Sequence, residues 1–293
     1  MMASTQEMWQ HRDIITNGIR MHYVTQGEGP LIVLLHGFPE FWYSWRYQIP
    51  FLAEHGYSVV APDMRGYNDT DKPRRGYDVP TLLQDIVGLI KGLGQEKAII
   101  VGHDWGGVLA WAFAMRYPAM AERLIVMNAP HPGAMLREIR TLKQLRKSWY
   151  IFYFQIPWLP EYLLLRNHAN EIGRGLRGAA VQKSVFPREE TAKYQEAMSK
   201  PGAMTAALNY YRQLFRPLPR ASWGTKFDVS APTLLIWGEQ DIALGIELTS
   251  GLEKWVDNID PETFGYGSDN QVGLESPGLP TSRSLGFNLN IKF

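Results

Sequence analysis

Twenty residues, AIIVGHDWGGVLAWAFAMRY at Ala98–Tyr117, constrain this chain more than any other stretch. Ile99–Val101 is an apolar β-branched run suited to a strand buried on both faces. Val108–Tyr117 is apolar nearly all round, the pattern of a helix packed on a sheet. Between them Gly102-His103-Asp104-Trp105-Gly106-Gly107 has to turn the chain sharply. Glycines two before and two after Asp104 let strand and helix approach closely, and the turn strains the backbone at its apex.

Asp104 stands where ester hydrolases of this strand–turn–helix design carry a nucleophilic Ser. The exchange selects the chemistry. A hydroxyl attacking an sp3 carbon gives an ether, which water does not readily cleave. A carboxylate attacking the same carbon gives an alkyl ester, which water can open at its carbonyl. Asp104 therefore points to epoxide opening or carbon–halogen displacement through a covalent intermediate. Taken alone, G-x-D-x-G fits a turn residue or a helix N-cap equally well.

The rest of the chain has a matching rhythm. Asn17-Gly18 joins the short runs Asp13–Thr16 and Ile19–Val24, a hairpin signal. Leu31–Leu35 is a buried strand ending in His36-Gly37-Phe38-Pro39. Trp42–Glu54 reads as a helix, Ser58–Ala61 as a strand, and Val79–Leu93 as a helix with Pro80 near its start and Gly94 past its end. Another strand lies at Leu124–Met127. Such alternation predicts a doubly wound, mostly parallel sheet with helices on both faces. From 134 to 221 the chain shows aromatic-rich helical segments and no strand, which predicts an inserted helical lid. Alternation resumes with a strand at Thr233–Trp237 and a helix at about Leu244–Asp257. The expected division is a core of 1–133 and 222–258, a lid of 134–221, and an atypical tail of 259–293.

Composition narrows the function. The net charge of +1 gives no support to nucleic acid or an anionic membrane as partner of the core, and the absence of cysteine excludes disulfides and thiol catalysis. MMASTQEMWQHRD has no apolar signal core, and no run is long enough to span a bilayer, so the expected location is cytoplasmic.

Four motifs occur in order: HGFPEFWYSWRYQIP at His36–Pro50, APDMRGYNDTDKP at Ala61–Pro73, GHDWGG at Gly102–Gly107 and NAPHP at Asn128–Pro132. Together they resemble the soluble epoxide hydrolases of the α/β-hydrolase fold, over residues 10–258. The resemblance implies Asp104 as nucleophile and the backbone N–H groups of Phe38 and Trp105 as an oxyanion hole. It implies a cis peptide before Pro39. It also implies two lid tyrosines, matched to Tyr153 in Tyr153-Phe154-Gln155 and to Tyr211, with Tyr210 as the competitor for the second place. Asp241 matches the acid that orients a catalytic histidine. The implied partners are a small hydrophobic epoxide and water, with no metal or organic cofactor. His36 and His103 read as structural, fixed by their turns; His131 reads as part of the loop entering the lid, and Arg65 as an ion-pair residue.

The pattern departs from the family after Asp241. All seven histidines, the last being His168, precede that residue. The stretch from Ile259 also lacks the expected strand and final helix. Its end, with alternating Leu285, Phe287, Leu289, Ile291 and Phe293, resembles the C-terminal strand of TonB-dependent outer-membrane transporters. The expectation is an alkyl-enzyme ester that forms and then persists. A haloalkane or haloacid dehalogenase and a non-catalytic small-molecule-binding protein are the alternatives. The sequence leaves the oligomeric state open.

Overall fold

A computed structural model of the chain describes residues 9–216 and 227–264. Eight strands form one sheet in the order β1-β2-β4-β3-β5-β6-β7-β8. These are β1 Gln10–Thr16, β2 Ile19–Gln26, β3 Leu31–Leu35, β4 Ser58–Pro62, β5 Ala98–His103, β6 Ala121–Met127, β7 Thr233–Gly238 and β8 Ile259–Phe264. β2 runs antiparallel to β1 and β4, and every other pairing is parallel. The hairpin turns at Asn17 (φ 45°) and Gly18 (φ 76°), both left-handed, whose twist matches the flanking strands. The centre of the sheet explains its sequence: β3 is buried throughout, and β5 from Ala98 to Gly102, so both read as unbroken apolar runs.

Helices α1 Gln48–Glu54, α2 Val79–Gly92 and α3 Trp105–Arg116 cover the sheet. Asp78 caps α2 by accepting the Thr81 N–H at 3.1 Å. α3 packs across β3, β5 and β6 and against α2, which is why it has almost no polar face. Between β6 and β7 lie α4 Pro132–Glu138, α5 Leu142–Lys147, α6 Trp149–Tyr153, α7 Leu159–Ala179, α8 Arg188–Ser199 and α9 Ala203–Gln213. These six helices are the segment expected to be inserted as a lid, and α7 is broken at Arg166–Ala169. The expected lid boundary at 221 lies outside the described residues. No described helix is long and apolar enough to cross a membrane.

Three expectations are corrected. Trp42–Glu54 is a 3-10 turn at Trp42–Trp45 followed by α1, because Pro50 belongs in a first helical turn. Leu244–Asp257 is not one helix but two 3-10 turns, Ile246–Thr249 and Leu252–Lys254, separated where Gly251 takes φ 71°. The strand expected to be lost after Ile259 is present as β8, paired with β7 from Thr233↔Ile259 to Gly238↔Phe264. Residues 259–264 therefore belong to the sheet rather than to a tail. The transporter-like ending falls outside the described residues.

Candidate active site

β5 delivers Asp104 and α3 leaves from it. Asp104 sits at φ 51°, ψ −119°, a conformation costly for any residue with a Cβ. The close passage of backbones explains the flanking glycines. A Cβ on Gly106 would lie 2.1 Å from the Leu35 carbonyl oxygen, and one on Gly102 would lie 2.3 Å from that of Gly106. The Phe38 N–H donates to Asp104 Oδ1 at 2.8 Å, and the Trp105 N–H also bonds this carboxylate. The Phe38-Pro39 peptide is cis.

Burial pushes the Asp104 carboxyl up to about 6 against the opposing pull of His103 and the two N–H groups. His103 Nδ1 lies 3.0 Å from Glu40 Oε2, which also accepts the Gly37 N–H at 3.0 Å. Burial lowers the His103 pKa, but Glu40, with Asp104 and Asp241, outweighs it and pushes His103 up to about 9. Burial acts to raise Glu40, and His103 more than offsets that, holding it below the usual carboxylate range. At neutral pH the two form an ion pair beside Asp104. Glu40 is a site residue that sequence reasoning missed. Its signal was a lone acid inside an otherwise apolar motif, HGFPEFW.

The lid brings two phenols toward Asp104. Tyr211 on α9 is 4% exposed and packs edge-on to Trp105 (centroids 5.1 Å) and Phe38 (5.7 Å), and the Trp105 side chain hydrogen-bonds its hydroxyl. Its neighbour Tyr210 is spent elsewhere, donating to the Arg65 carbonyl at 2.8 Å. The phenol beside Tyr211 is that of Tyr150, not that of Tyr153, the residue expected there. Tyr150 packs edge-on to Tyr211 at 5.9 Å, and burial together with the Asp104 and Asp241 carboxylates raises its pKa. The surroundings of Tyr153 are instead Arg166 and Glu161, and its ring packs on Trp149 and Phe154. Tyr150 lies one helical turn before the buried Phe154, so these two share the inward face of α6. That i, i+4 pairing was the available signal.

Asp241 follows β7. Its Oδ1 accepts the N–H groups of Ala243 (2.7 Å) and Leu244 (2.8 Å), and its Oδ2 accepts Asn128 Nδ2 at 2.5 Å. Asn128, at the end of β6, also accepts the Gly238 N–H at 3.0 Å, so it ties the two strand ends together. Among the described residues no histidine hydrogen-bonds Asp241. His36 is held by Gly37 O and by the Met64 N–H, and His131 caps α4 through the Gly133 N–H and contacts Phe227 O. His22, Asp63 and Asp69 have cation-ligand spacing, but His22 and Asp63 already bond each other at 2.7 Å and share no residue with the Asp104 cluster.

Residues 30–266 match the family model described as alpha/beta hydrolase fold. The AB hydrolase superfamily protein YfhM of Bacillus subtilis is 43% identical over 251 residues, covering 83% of this chain and 85% of that protein. Epoxide hydrolase 4 of Homo sapiens is 42% identical over 259 residues, covering 83% of this chain and 68% of the human protein. Among solved structures, the Bacillus megaterium epoxide hydrolase in complex with an inhibitor is similar with a TM-score of 0.78 and 32% identity, covering 86% of this chain and 91% of that one.

Proposed function

The chain belongs to the alpha/beta hydrolase fold family as an epoxide hydrolase-like enzyme, and on that premise we propose that Asp104 opens epoxides by forming an alkyl ester. The observation that carries this reading is Asp104 at the strained elbow, held by the Phe38 N–H and faced by Tyr150 and Tyr211.

In the first step Asp104 attacks an epoxide carbon and the carbon–oxygen bond breaks. The electron pair stays on the ring oxygen, which takes a proton from a phenol. Both phenols are raised in pKa by burial and the Asp104 charge, so they remain protonated donors until an alkoxide develops. In the second step water attacks the carbonyl carbon of the Asp104 ester. Negative charge then develops on the carbonyl oxygen, where the N–H groups of Phe38 and Trp105 can stabilise it. Expulsion of the alkyl oxygen, which takes one proton of the attacking water, frees a vicinal diol and restores Asp104, and the water's other proton returns to the phenolate left by the first step. The Trp105 side chain hydrogen-bonds Tyr211, and two phenols facing Asp104 suit a developing alkoxide, which favours epoxide over carbon–halogen substrates.

The second step needs a base. Asp241 is built to orient one, but none of the seven histidines follows it. His103 is held protonated by Glu40 and is no base at neutral pH. The expected result on mixing this polypeptide with an aryl epoxide is a stoichiometric adduct on Asp104 in the intact mass, with at most one diol released per chain. Its rate should rise with pH through about 6 as the nucleophile ionises. Sustained diol formation would overturn the assignment of a stalled ester. Reversible binding without any adduct would favour a non-catalytic binding protein.

The two tyrosine assignments separate cleanly. Tyr150→Phe should slow adduct formation by roughly a hundredfold, whereas Tyr153→Phe should leave it nearly unchanged. Equal effects from both would remove the assignment of Tyr150.

A further inference from the structure

The lid has an outer face that the chemistry does not use. Leu142, Leu145, Trp149, Phe152 and Ile156 follow one another at alternating spacings of three and four along α5, α6 and the turn beyond. That spacing places them in one stripe, and their exposures are 72%, 40%, 62%, 48% and 43%. Trp158 extends the stripe at 71% exposed, and Phe152 packs on Phe215, itself half-exposed. An amphipathic helix normally buries such a stripe. Here α6 turns Tyr150 and Phe154 inward and leaves the opposite apolar side in water.

The same segment is basic. Between Leu136 and Trp158 there are five arginines and lysines and one glutamate, a local charge of +4 in a chain whose total is +1. Lys143 pairs with Glu247, Arg137 with Glu138, and Lys147 donates to the Asp241 carbonyl. Arg140 and Arg146 are exposed and have no ion pair among the described residues.

We propose that this face of the lid docks on an anionic phospholipid surface. Aliphatic side chains and tryptophans flanked by arginines match a bilayer interface, where indoles sit at the headgroup level and arginines meet lipid phosphates. A second copy of the chain is a poorer occupant, because a two-fold dimer would press the basic face against itself. The overall charge, which gave no reason to expect a membrane partner, averages this patch against an acidic remainder. Docking would place the outer side of α6 in lipid and its inner side over Asp104. The substrate class is then a lipophilic epoxide dissolved in the bilayer; that extension rests on the reading of Asp104 given above.

The docking test uses no epoxide, so it stands or fails separately from the reaction. The full chain is sedimented with vesicles of phosphatidylcholine plus phosphatidylglycerol, or of phosphatidylcholine alone. Binding should be at least roughly tenfold tighter to the anionic vesicles and should weaken as salt is raised. Trp149→Ser with Phe152→Ser, and separately Arg140→Glu with Arg146→Glu, should each weaken it by about tenfold or more. Ile15→Ser, on exposed β1, should leave binding unchanged. If the aromatic pair fails to fold, the charge-reversed pair decides alone. Equal binding to both vesicle types, or no binding, overturns the proposal. So does a soluble dimer that Trp149→Ser dissociates.

Discussion

Asp104→Gly is expected to abolish epoxide-dependent alkylation and at the same time to stabilise the folded chain. The loss of reaction should be at least roughly 10⁴-fold, since no other carboxylate occupies the elbow. The gain in stability follows from the backbone. At φ 51°, ψ −119° a residue with a Cβ is strained by about 1–3 kcal/mol, and glycine is not. The buried carboxylate adds to the cost, because its surroundings push its pKa up to about 6 and so disfavour the ionised form that the reaction needs. Against this stand the lost hydrogen bonds to Phe38 and Trp105 and the greater freedom of glycine in the unfolded chain. A net gain of about 1 kcal/mol should raise the melting temperature by roughly 2–4 °C. Intact-mass analysis after epoxide treatment reads the first effect and thermal unfolding reads the second. A variant that neither labels nor gains stability would mean that the elbow is relaxed in solution and that the strain argument is wrong.

Arg65→Met should give the largest loss of stability. Arg65 forms two parallel bonds to Asp85, Nε to Oδ2 and Nη2 to Oδ1, both 2.6 Å long, with the two side chains 5% and 3% exposed. Asn17 Nδ2 adds a third bond to Oδ1 at 2.8 Å. Burial already lifts the Asp85 carboxyl above its ordinary range even with the guanidinium beside it. Removing Arg65 strands that carboxylate, at a cost of about 3–5 kcal/mol near neutral pH. The urea midpoint should fall with the slope unchanged. The deficit should shrink as the pH is lowered. A carboxyl whose pKa is raised in the folded state binds its proton there more readily than in the unfolded chain, so acid favours the folded variant. Adding Asp85→Leu should recover more than half of the loss, because no charge then remains buried without a partner. A single variant as stable as the parent would show that water reaches Asp85.

Legibility in the sequence is greatest where one physical constraint acts alone. The apolar β5 run, the glycine-flanked turn and the all-round apolar α3 specify a strand–turn–helix with Asp104 at its apex. It is weaker where neighbours decide. In WYIFYFQ five aromatics crowd a turn and a half of helix, and only the side that α6 turns to the core separates Tyr150 from Tyr153. Tyr211 was separable from Tyr210 only once the Arg65 carbonyl was seen to occupy Tyr210. β8 has Asp260, Pro261 and Glu262 at its centre, so it carries no strand pattern of its own; its extended form is supported by pairing with β7. Pro261 is tolerated in such a strand where its ladder position needs no N–H donor.

The bonds that hold the lid together bear on how such an enzyme can change over generations. Gln155 Nε2 donates to the Tyr211 carbonyl, and Arg212 bonds both the Phe154 carbonyl and the Glu161 carboxylate. Tyr210 fastens the same helix to the core. The distance between Tyr150 and Tyr211 is thus a property of the scaffold. Mutations that alter α6 or α9 singly disturb both phenols together. The stretch from the break in α7 at Arg166–Ala169 through α8 supplies neither phenol. Substitutions there would leave intact the bonds that fix the Tyr150–Tyr211 spacing, although α8 is itself tied to the core through Tyr194 and Glu190.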